Sequence, residues 1–375
     1  SPMLRRGLMV FQFTASAFLL VATLTVHGQL SFMQSQPLGF AQEQVITFEA
    51  TPSILNRLDS FKRSLRDDPS VVGVAMANGL PGSVGMNQSY VWPGSADAQD
   101  QSRFAAYLYA DSAYLSTVGL ELAQGRWLRD TPSDAENAYV VNETAVREMG
   151  LVDPVGHAFR AWNGDESGMI VGVVKDFHFT SLKQPITPLA ISYQPDGMAN
   201  VAVRLAAGST AQGIAHVRRT FADAAPGYTL DYRFLDDDFE QQYRDEARLS
   251  TLLGFFAAMA AFIACLGILG LAALGAQRRR KEVGVRKVLG ASVIGLVALL
   301  TRDLALLVLV AVGLALPLAY LAGERWLDTF AYRMGLGVGL FVLAGMMVLF
   351  VALAASGYHA IRAATVNPAD VLRDE

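Results

Sequence analysis

Few residues in this chain are spaced for covalent chemistry. The five histidines, His27, His157, His178, His216 and His359, are scattered without metal-ligand spacing. Asp176 and His178 stand two apart in a stretch that reads as a strand, which places them on one face. Strand packing or surface polarity accounts for that pair better than catalysis. Asp236, Asp237, Asp238 and Glu240 precede a long helical pattern, where free N–H groups and the helix dipole stabilise carboxylates. With no His or Cys nearby in sequence, they read as a helix start and not as a metal site. No H-E-x-x-H or G-x-S-x-G occurs, and the dipeptide Gly-Lys is missing, so the chain has no phosphate-cradling P-loop for ATP. Cys265 is the only cysteine; it forms no intramolecular disulfide and reads as a small packing residue inside an apolar run. Metal, nucleophilic and P-loop chemistry are therefore not expected.

The one dense cluster of functional groups is residues 277–291, QRRRKEVGVRKVLGA. Arg278, Arg279, Arg280, Lys281, Arg286 and Lys287 stand there against a single acid, Glu282. Val283, Val285, Val288 and Leu289 lie between the charges. Val285 is three and four positions from Val288 and Leu289, so these three share one helical face. Such a segment can lie in a membrane interface or offer its apolar stripe to a partner's groove. The alternative is a basic flank that only sets membrane topology.

Apolar runs surround this stretch. The mean hydropathy is +0.31 and hydrophobic residues make up 52% of the chain, concentrated at about 8–26, 249–276, 304–322 and 336–355. Each run is long enough to cross a hydrocarbon core of about 30 Å as a helix. Arg5 and Arg6 precede the first run, the basic stretch follows the second, and His359, Arg362 and Arg373 follow the fourth. With four crossings all three clusters fall on one side, which the positive-inside rule makes cytoplasmic. Residues 29–248 hold 17 Lys/Arg and 27 Asp/Glu and would face outward. The expected division is a first membrane helix at 1–28, an extracytoplasmic domain at 29–248, a three-helix membrane domain at 249–356 with its basic loop at 277–291, and a cytoplasmic tail at 357–375. The first run is long for a signal peptide and no A-x-A-like site follows it, so an uncleaved helix is expected.

The outer stretch alternates element types. Residues 44–49 read as a strand, 54–67 as a helix and 71–76 as a strand; 199–205, 211–224 and 228–234 repeat the order. Two β-α-β halves suggest a split ferredoxin-like sheet. Residues 79–196, rich in Gly, Pro and Asn, read as an inserted second lobe with strands near 139–141, 169–174 and 189–193 and a helix near 143–148. If the helix at 241–276 is continuous, 241–249 extends it outward as a stalk. Arg302 and Asp303 fit best near the cytoplasmic interface, because charge at the bilayer centre is costly; a proton relay is the alternative. Pro317 is expected to kink the third span, and Trp326, Phe330 and Tyr332 to form an aromatic belt. Gly335 and Gly339, and Ala257, Ala261 and Cys265 on one helix face, are small enough for close membrane-helix packing. Asn87-Gln88-Ser89 and Asn142-Glu143-Thr144 match the glycosylation pattern.

The words RRRKEVGVRKVLGAS between two membrane helices resemble the cytoplasmic loop of the FtsX/MacB-like family of ABC transporter permeases. The tail Asn367, Pro368, Ala369, Asp370, Val371, Leu372 and Arg373 resembles the family's C-terminal signature, and Leu38, Gly39 and Phe40 resemble the segment after its first membrane helix. The resemblance implies an α+β membrane protein with four transmembrane helices and a MacB-like periplasmic domain, a porter-like lobe carrying an inserted lobe, between the first and second. It implies a permease and not an enzyme, without a cofactor of its own, ATP being bound by an ABC ATPase subunit. Residues 278–289 would form the coupling helix that docks there, and the tail would contact the ATPase or the inner leaflet. Implied partners are that ATPase, membrane lipid, a second permease half or a second copy, and a periplasmic adaptor or hydrolase; nucleic acid is not among them. The implied location is a bacterial inner membrane with both termini cytoplasmic. Relatives act on peptides, drugs or lipoproteins; a non-transporting regulator that activates a cell-wall hydrolase or senses a ligand is the second reading. Many relatives carry two such four-helix units, so this chain reads as the second half of a larger permease or as a half that dimerises.

Overall fold

The computed structural model describes residues 2–41, 43–84, 87–91, 102–161, 168–237, 243–278 and 292–365. They form two compact units, Ser1–Ser35 with Arg244–Glu375, and Gln36–Tyr243. Helix α1 (Pro2–Gln34) runs unbroken through the first apolar run and continues past residue 28 to Gln34. It stops ahead of Pro37, which cannot donate a helical hydrogen bond.

The second unit begins with β1 (Val45–Glu49), α2 (Pro52–Leu55), α3 (Leu58–Arg66) and β2 (Val71–Ala77). An inserted lobe follows: β3 (Asn87–Val91), β4 (Ser102–Tyr109), α4 (Tyr114–Val118), β5 (Leu122–Gly125), α5 (Pro132–Asn137), β6 (Ala138–Asn142), α6 (Glu143–Met149), β7 (Ala158–Ala161), β8 (Gly168–Val174) and β9 (Leu189–Ser192). The chain then returns through β10 (Asn200–Leu205), α7 (Thr210–Ala224) and β11 (Arg233–Phe234).

The outer strands form an antiparallel sheet in the order β11-β1-β10-β2. This interleaving of two β-α-β halves is the ferredoxin-like arrangement expected from the sequence. Val45, Ile46, Thr47 and Phe48 are all buried because both faces of β1 are covered. Ile46, Phe48, Val74 and Met76 pack with Phe61 and Leu65 of α3 and Val217 and Phe221 of α7. Val45, Ala75 and Ala202 on the other face pack with Tyr114 and Val118 of α4. Burying each large side chain contributes about 1.5–3 kcal/mol.

Two expected boundaries differ. The helix expected at 54–67 is two helices, interrupted at Arg57, whose φ of −133° leaves the helical region. The strand expected at 228–234 shrinks to Arg233 and Phe234, because pairing on that edge of β1 extends only over Ile46 and Thr47.

The inserted lobe is more regular than its composition suggests. Its seven strands run β5-β8-β6-β9-β4-β3-β7, and β7 also pairs with β8, closing the sheet. Strands β7 and β5 share one edge of β8, β7 along Gly168 and Met169 and β5 from Gly172 onward. Stacked Tyr90 and Phe159 (4.9 Å) and Tyr139 edge-on to Phe159 (5.2 Å) occupy its core. A Cβ at Gly168 would stand 2.4 Å from the Tyr139 ring. That packing explains a glycine which in sequence looks like a loop residue.

The first unit is completed by α8 (Arg244–Arg278), α9 (Val293–Leu327) and α10 (Val338–Thr365). Arg6–Gln34, Arg244–Gly267, Leu304–Leu327 and Val338–Gly357 are four helical stretches long and apolar enough to span a bilayer. Helix α1 packs on α8, α9 and α10, and α10 closes the bundle against α9 and α8. Ala311, Ala315 and Ala319 of α9 meet Phe13, Ala17 and Val21 of α1, and Ala344, Val348 and Ala352 of α10. Small residues at every fourth position let backbones approach without a hydrophobic driving force between helices. The large apolar side chains point outward, among them Phe255, Phe262, Leu309, Leu314 and Phe350. Helix α9 continues through Pro317. Arg302 and Asp303 come directly before the candidate span that starts at Leu304.

Candidate functional site

Arg278 is the last residue of α8. Arg279, Arg280, Lys281, Glu282, Val285, Arg286, Lys287, Val288 and Leu289 lie outside the described residues, as do the tail residues 366–375 and Asp238 and Glu240. What is visible is the helix that enters the basic stretch. Its 35 residues rise about 52 Å, and the 11 residues beyond the candidate span carry it roughly 16 Å further. Asp245 and Glu246 occupy its first turn. Among the described residues no cluster of His, Cys, Asp and Glu could hold a metal.

The expected packing residues fall into different surroundings. Ala257 and Ala261 line an apolar cleft of about 270 Å³ between α8, α1 and α10, whose other walls include Phe13, Leu20 and Val348. Cys265 is half-buried. A Cβ at Gly335 or Gly339 would meet nothing within 4 Å, so both are open on the single chain. The close approach occurs at Gly28 instead, where a Cβ would stand 2.7 Å from Met334 Sδ. Trp326 and Phe330 of the expected belt meet edge-to-face at 4.8 Å.

Beside Gly28, Gln29 is fully buried. Its Nε2 donates to Tyr332 O (2.8 Å), and its Oε1 accepts from Met334 N (2.8 Å). One side chain of α1 thus satisfies both polarities of the α9–α10 connection. Gln29→Leu should cost about 1–3 kcal/mol by removing the donor to the Tyr332 carbonyl and the acceptor of the Met334 N–H. It should lower the thermal midpoint of the chain in detergent; an unchanged midpoint would remove the clamp.

A second junction holds the family-like segment Leu38, Gly39 and Phe40. Leu38 O accepts from His178 N (2.9 Å), and Ala41 N donates to Val118 O (2.9 Å). Arg204, from β10, donates to Ala41 O (3.1 Å) and to Thr117 O (2.6 Å) at the end of α4. Burial pushes the Arg204 guanidinium below its ordinary value. Gly39 has a φ of +80°, and a Cβ there would lie 2.8 Å from Asp176 O and 2.9 Å from Phe177. The linker after α1 is therefore gripped by both lobes of the soluble unit.

Asp176 and His178 belong to this grip and not to a strand. Strand β8 ends at Val174, opposite the first residue of β5 and the last of β6. Asp176 then accepts from Thr144 N (2.9 Å) and Thr144 Oγ1 (2.7 Å) at the start of α6. Burial pushes the His178 imidazole below its usual value, opposed by Asp176. Asn142, the centre of the glycosylation pattern, is fully buried; its Oδ1 accepts from Ala145 N (3.0 Å) and Leu189 N (2.9 Å), and its Nδ2 donates to Thr187 O (3.0 Å).

A third junction, invisible in the sequence, ties the lobes together. Lys62 Nζ of α3 donates to Asp111 Oδ2 (2.7 Å), with side-chain exposures of only 11% and 2%. The same carboxylate accepts from Met76 N (2.9 Å) and Ala113 N (3.2 Å), while Trp127 Nε1 donates to Asp111 O (3.1 Å). Burial raises the Asp111 carboxyl above the ordinary range, and Lys62 and the Met76 N–H oppose that rise.

Four helices fit to span a bilayer, with an α+β unit between the first and the second, define a polytopic membrane protein carrying a large soluble domain. Residues 254–368 match the profile of the FtsX-like permease C-terminal family. That stretch of the chain is therefore similar to the C-terminal domain of FtsX-like permeases. No curated protein matches the chain. Solved structures similar to it include the periplasmic region of MacB from Actinobacillus actinomycetemcomitans (TM-score 0.39, 16% identity, 54% of this chain and 94% of that one). The extracellular domain of the noncanonic ABC-type transporter YknZ from Gram-positive bacteria is another (TM-score 0.34, 14% identity, 50% and 98%). A third is a domain of a putative permease protein from Porphyromonas gingivalis (TM-score 0.35, 16% identity, 51% and 89%).

Proposed function

We propose that this chain is the membrane subunit of an FtsX/MacB-type ABC transporter, coupling ATP hydrolysis by a separate ATPase subunit to movement of its soluble unit. ATP binds the partner, and this chain contributes no cofactor site. The chain sits in a bacterial inner membrane with both termini cytoplasmic, and the soluble unit faces outward. Its cargo class is peptides, drugs or lipoproteins, acted on outside the membrane. A second permease half or a second copy completes the assembly, since two ATPase subunits need two docking stretches.

The observation that carries this reading is the uninterrupted helix α8, which leads from the end of the soluble unit, past its candidate span, to the basic stretch. Backbone hydrogen bonds along a helix make it stiff, so displacement of Arg278 is carried along α8. The second attachment, the linker after α1, is gripped by both lobes, so motion of α1 reaches them together. Val285, Val288 and Leu289 supply the apolar contact to the ATPase, and the Arg and Lys side chains supply charge pairing.

The test is recovery of ATPase subunits from native membranes by the tagged full chain. Val285→Asp with Leu289→Asp should reduce recovery at least about tenfold, because an unpaired carboxylate buried in an apolar contact costs well over 1.4 kcal/mol. Charge reversal of Arg278, Arg279 and Arg280 should act in the same direction. Undiminished recovery would exclude the coupling role. Capture of a cell-wall hydrolase without any ATPase would establish the regulator instead.

A further inference from the structure

The groove between α1 and α9 carries an arginine that has no counter-ion among the described residues. Its walls include Phe11, Ala15 and Phe18 of α1 and Leu318, Ala322 and Arg325 of α9, around a volume of about 400 Å³. Leu318 to Arg325 covers about 10 Å of helix rise. Arg325 is exposed in the last turn of α9, and among the described residues it forms no ion pair or hydrogen bond. Its nearest acids in sequence, Glu324 and Asp328, are both taken by Arg333. The neighbouring Trp326–Phe330 pair, at the end of the span Leu304–Leu327, puts this level at a membrane interface.

A cation in this position offers its free N–H donors to an anion, and the groove beside it suits an apolar occupant. A guanidinium presents paired N–H donors that match phosphate oxygens bidentately. An acyl chain fills a groove walled by Phe, Leu and Ala. We propose that this groove binds one membrane phospholipid, its acyl chain between α1 and α9 and its headgroup phosphate on Arg325. The phospholipid joins such an anion to an apolar tail in one molecule. Volumes of this size lie in the usual range of ligand pockets. The site rests on the membrane-spanning reading of these helices and is independent of the ATPase coupling.

The test is native mass spectrometry of the full-length chain, purified in detergent and supplied with phosphatidylglycerol or with diacylglycerol of the same tails. Wild type should retain one phosphatidylglycerol through a delipidating wash and should not retain diacylglycerol. Arg325→Gln should lower retention about tenfold, the loss of one charge-assisted contact. Arg325→Lys keeps the cation and should retain the lipid, which separates loss of charge from misfolding. Ala322→Phe should expel the lipid with Arg325 intact. Equal retention by wild type and Arg325→Gln, or of diacylglycerol and phosphatidylglycerol, would overturn the site. So would an unaffected Ala322→Phe, or cross-linking of a second copy through this groove in place of lipid.

Discussion

Replacing Gly39 with valine should loosen the linker from both lobes of the soluble unit at once. The backbone there has a φ of +80°, a left-handed conformation that costs an L-residue with a Cβ roughly 1–2 kcal/mol. The added atoms would also collide with Asp176 O and the Phe177 backbone, both under 3 Å from a Cβ. Overpacking against immobile backbone adds about 1–3 kcal/mol. The expected result is a loss of about 3 kcal/mol, expressed as early amide exchange at Ala41 and His178, whose N–H groups hold the linker in place. Both lobes keep their own cores, so exchange within β1 and β6 should change far less. If the proposed mechanism holds, the variant still binds the ATPase while transport falls. Unchanged protection at Ala41 and His178 would mean that the grip has no energetic weight.

Breaking the Lys62–Asp111 pair one partner at a time should destabilise the junction between the lobes by about 3–5 kcal/mol. Asp111→Ala leaves a buried ammonium without a counter-charge and Met76 N without its side-chain acceptor. Lys62→Met leaves a buried carboxylate held by the Met76 and Ala113 N–H groups without a counter-charge. Removing both charges together, as Lys62→Met with Asp111→Leu, should cost much less than the sum, because desolvation of the ions is relieved along with their attraction. The check is a double-mutant cycle read from segment-resolved hydrogen exchange of the full chain in detergent. Additive single losses would show that the two side chains do not act as a pair.

The membrane unit was the most legible part of the chain. Runs of about 20 apolar residues have few alternatives to a spanning helix, and the resemblance of the words RRRKEVGVRKVLGAS pointed to the FtsX-like match at 254–368. The two β-α-β halves were legible for a similar reason, since their strands and helices show local periodicities of 2 and 3.6 residues. The short paired segment at Arg233 and Phe234 was not, because its length depends on how much of β1 is left to pair with.

What the sequence determined by itself was the class of protein, the order of its elements and the location of the basic stretch. All of these depend on properties of neighbouring residues, namely apolar length, alternation and charge density. Tertiary structure decided the closing of the inserted lobe through β7 and β8, which join residues separated by a loop and selected only by the fit of the sheet. It also decided the roles of Gln29, Lys62, Asp111 and Arg204. Each of these polar side chains would read as a surface residue in a linear pattern. Each is instead held by a partner at least 49 positions away, which only folding brings within hydrogen-bond reach.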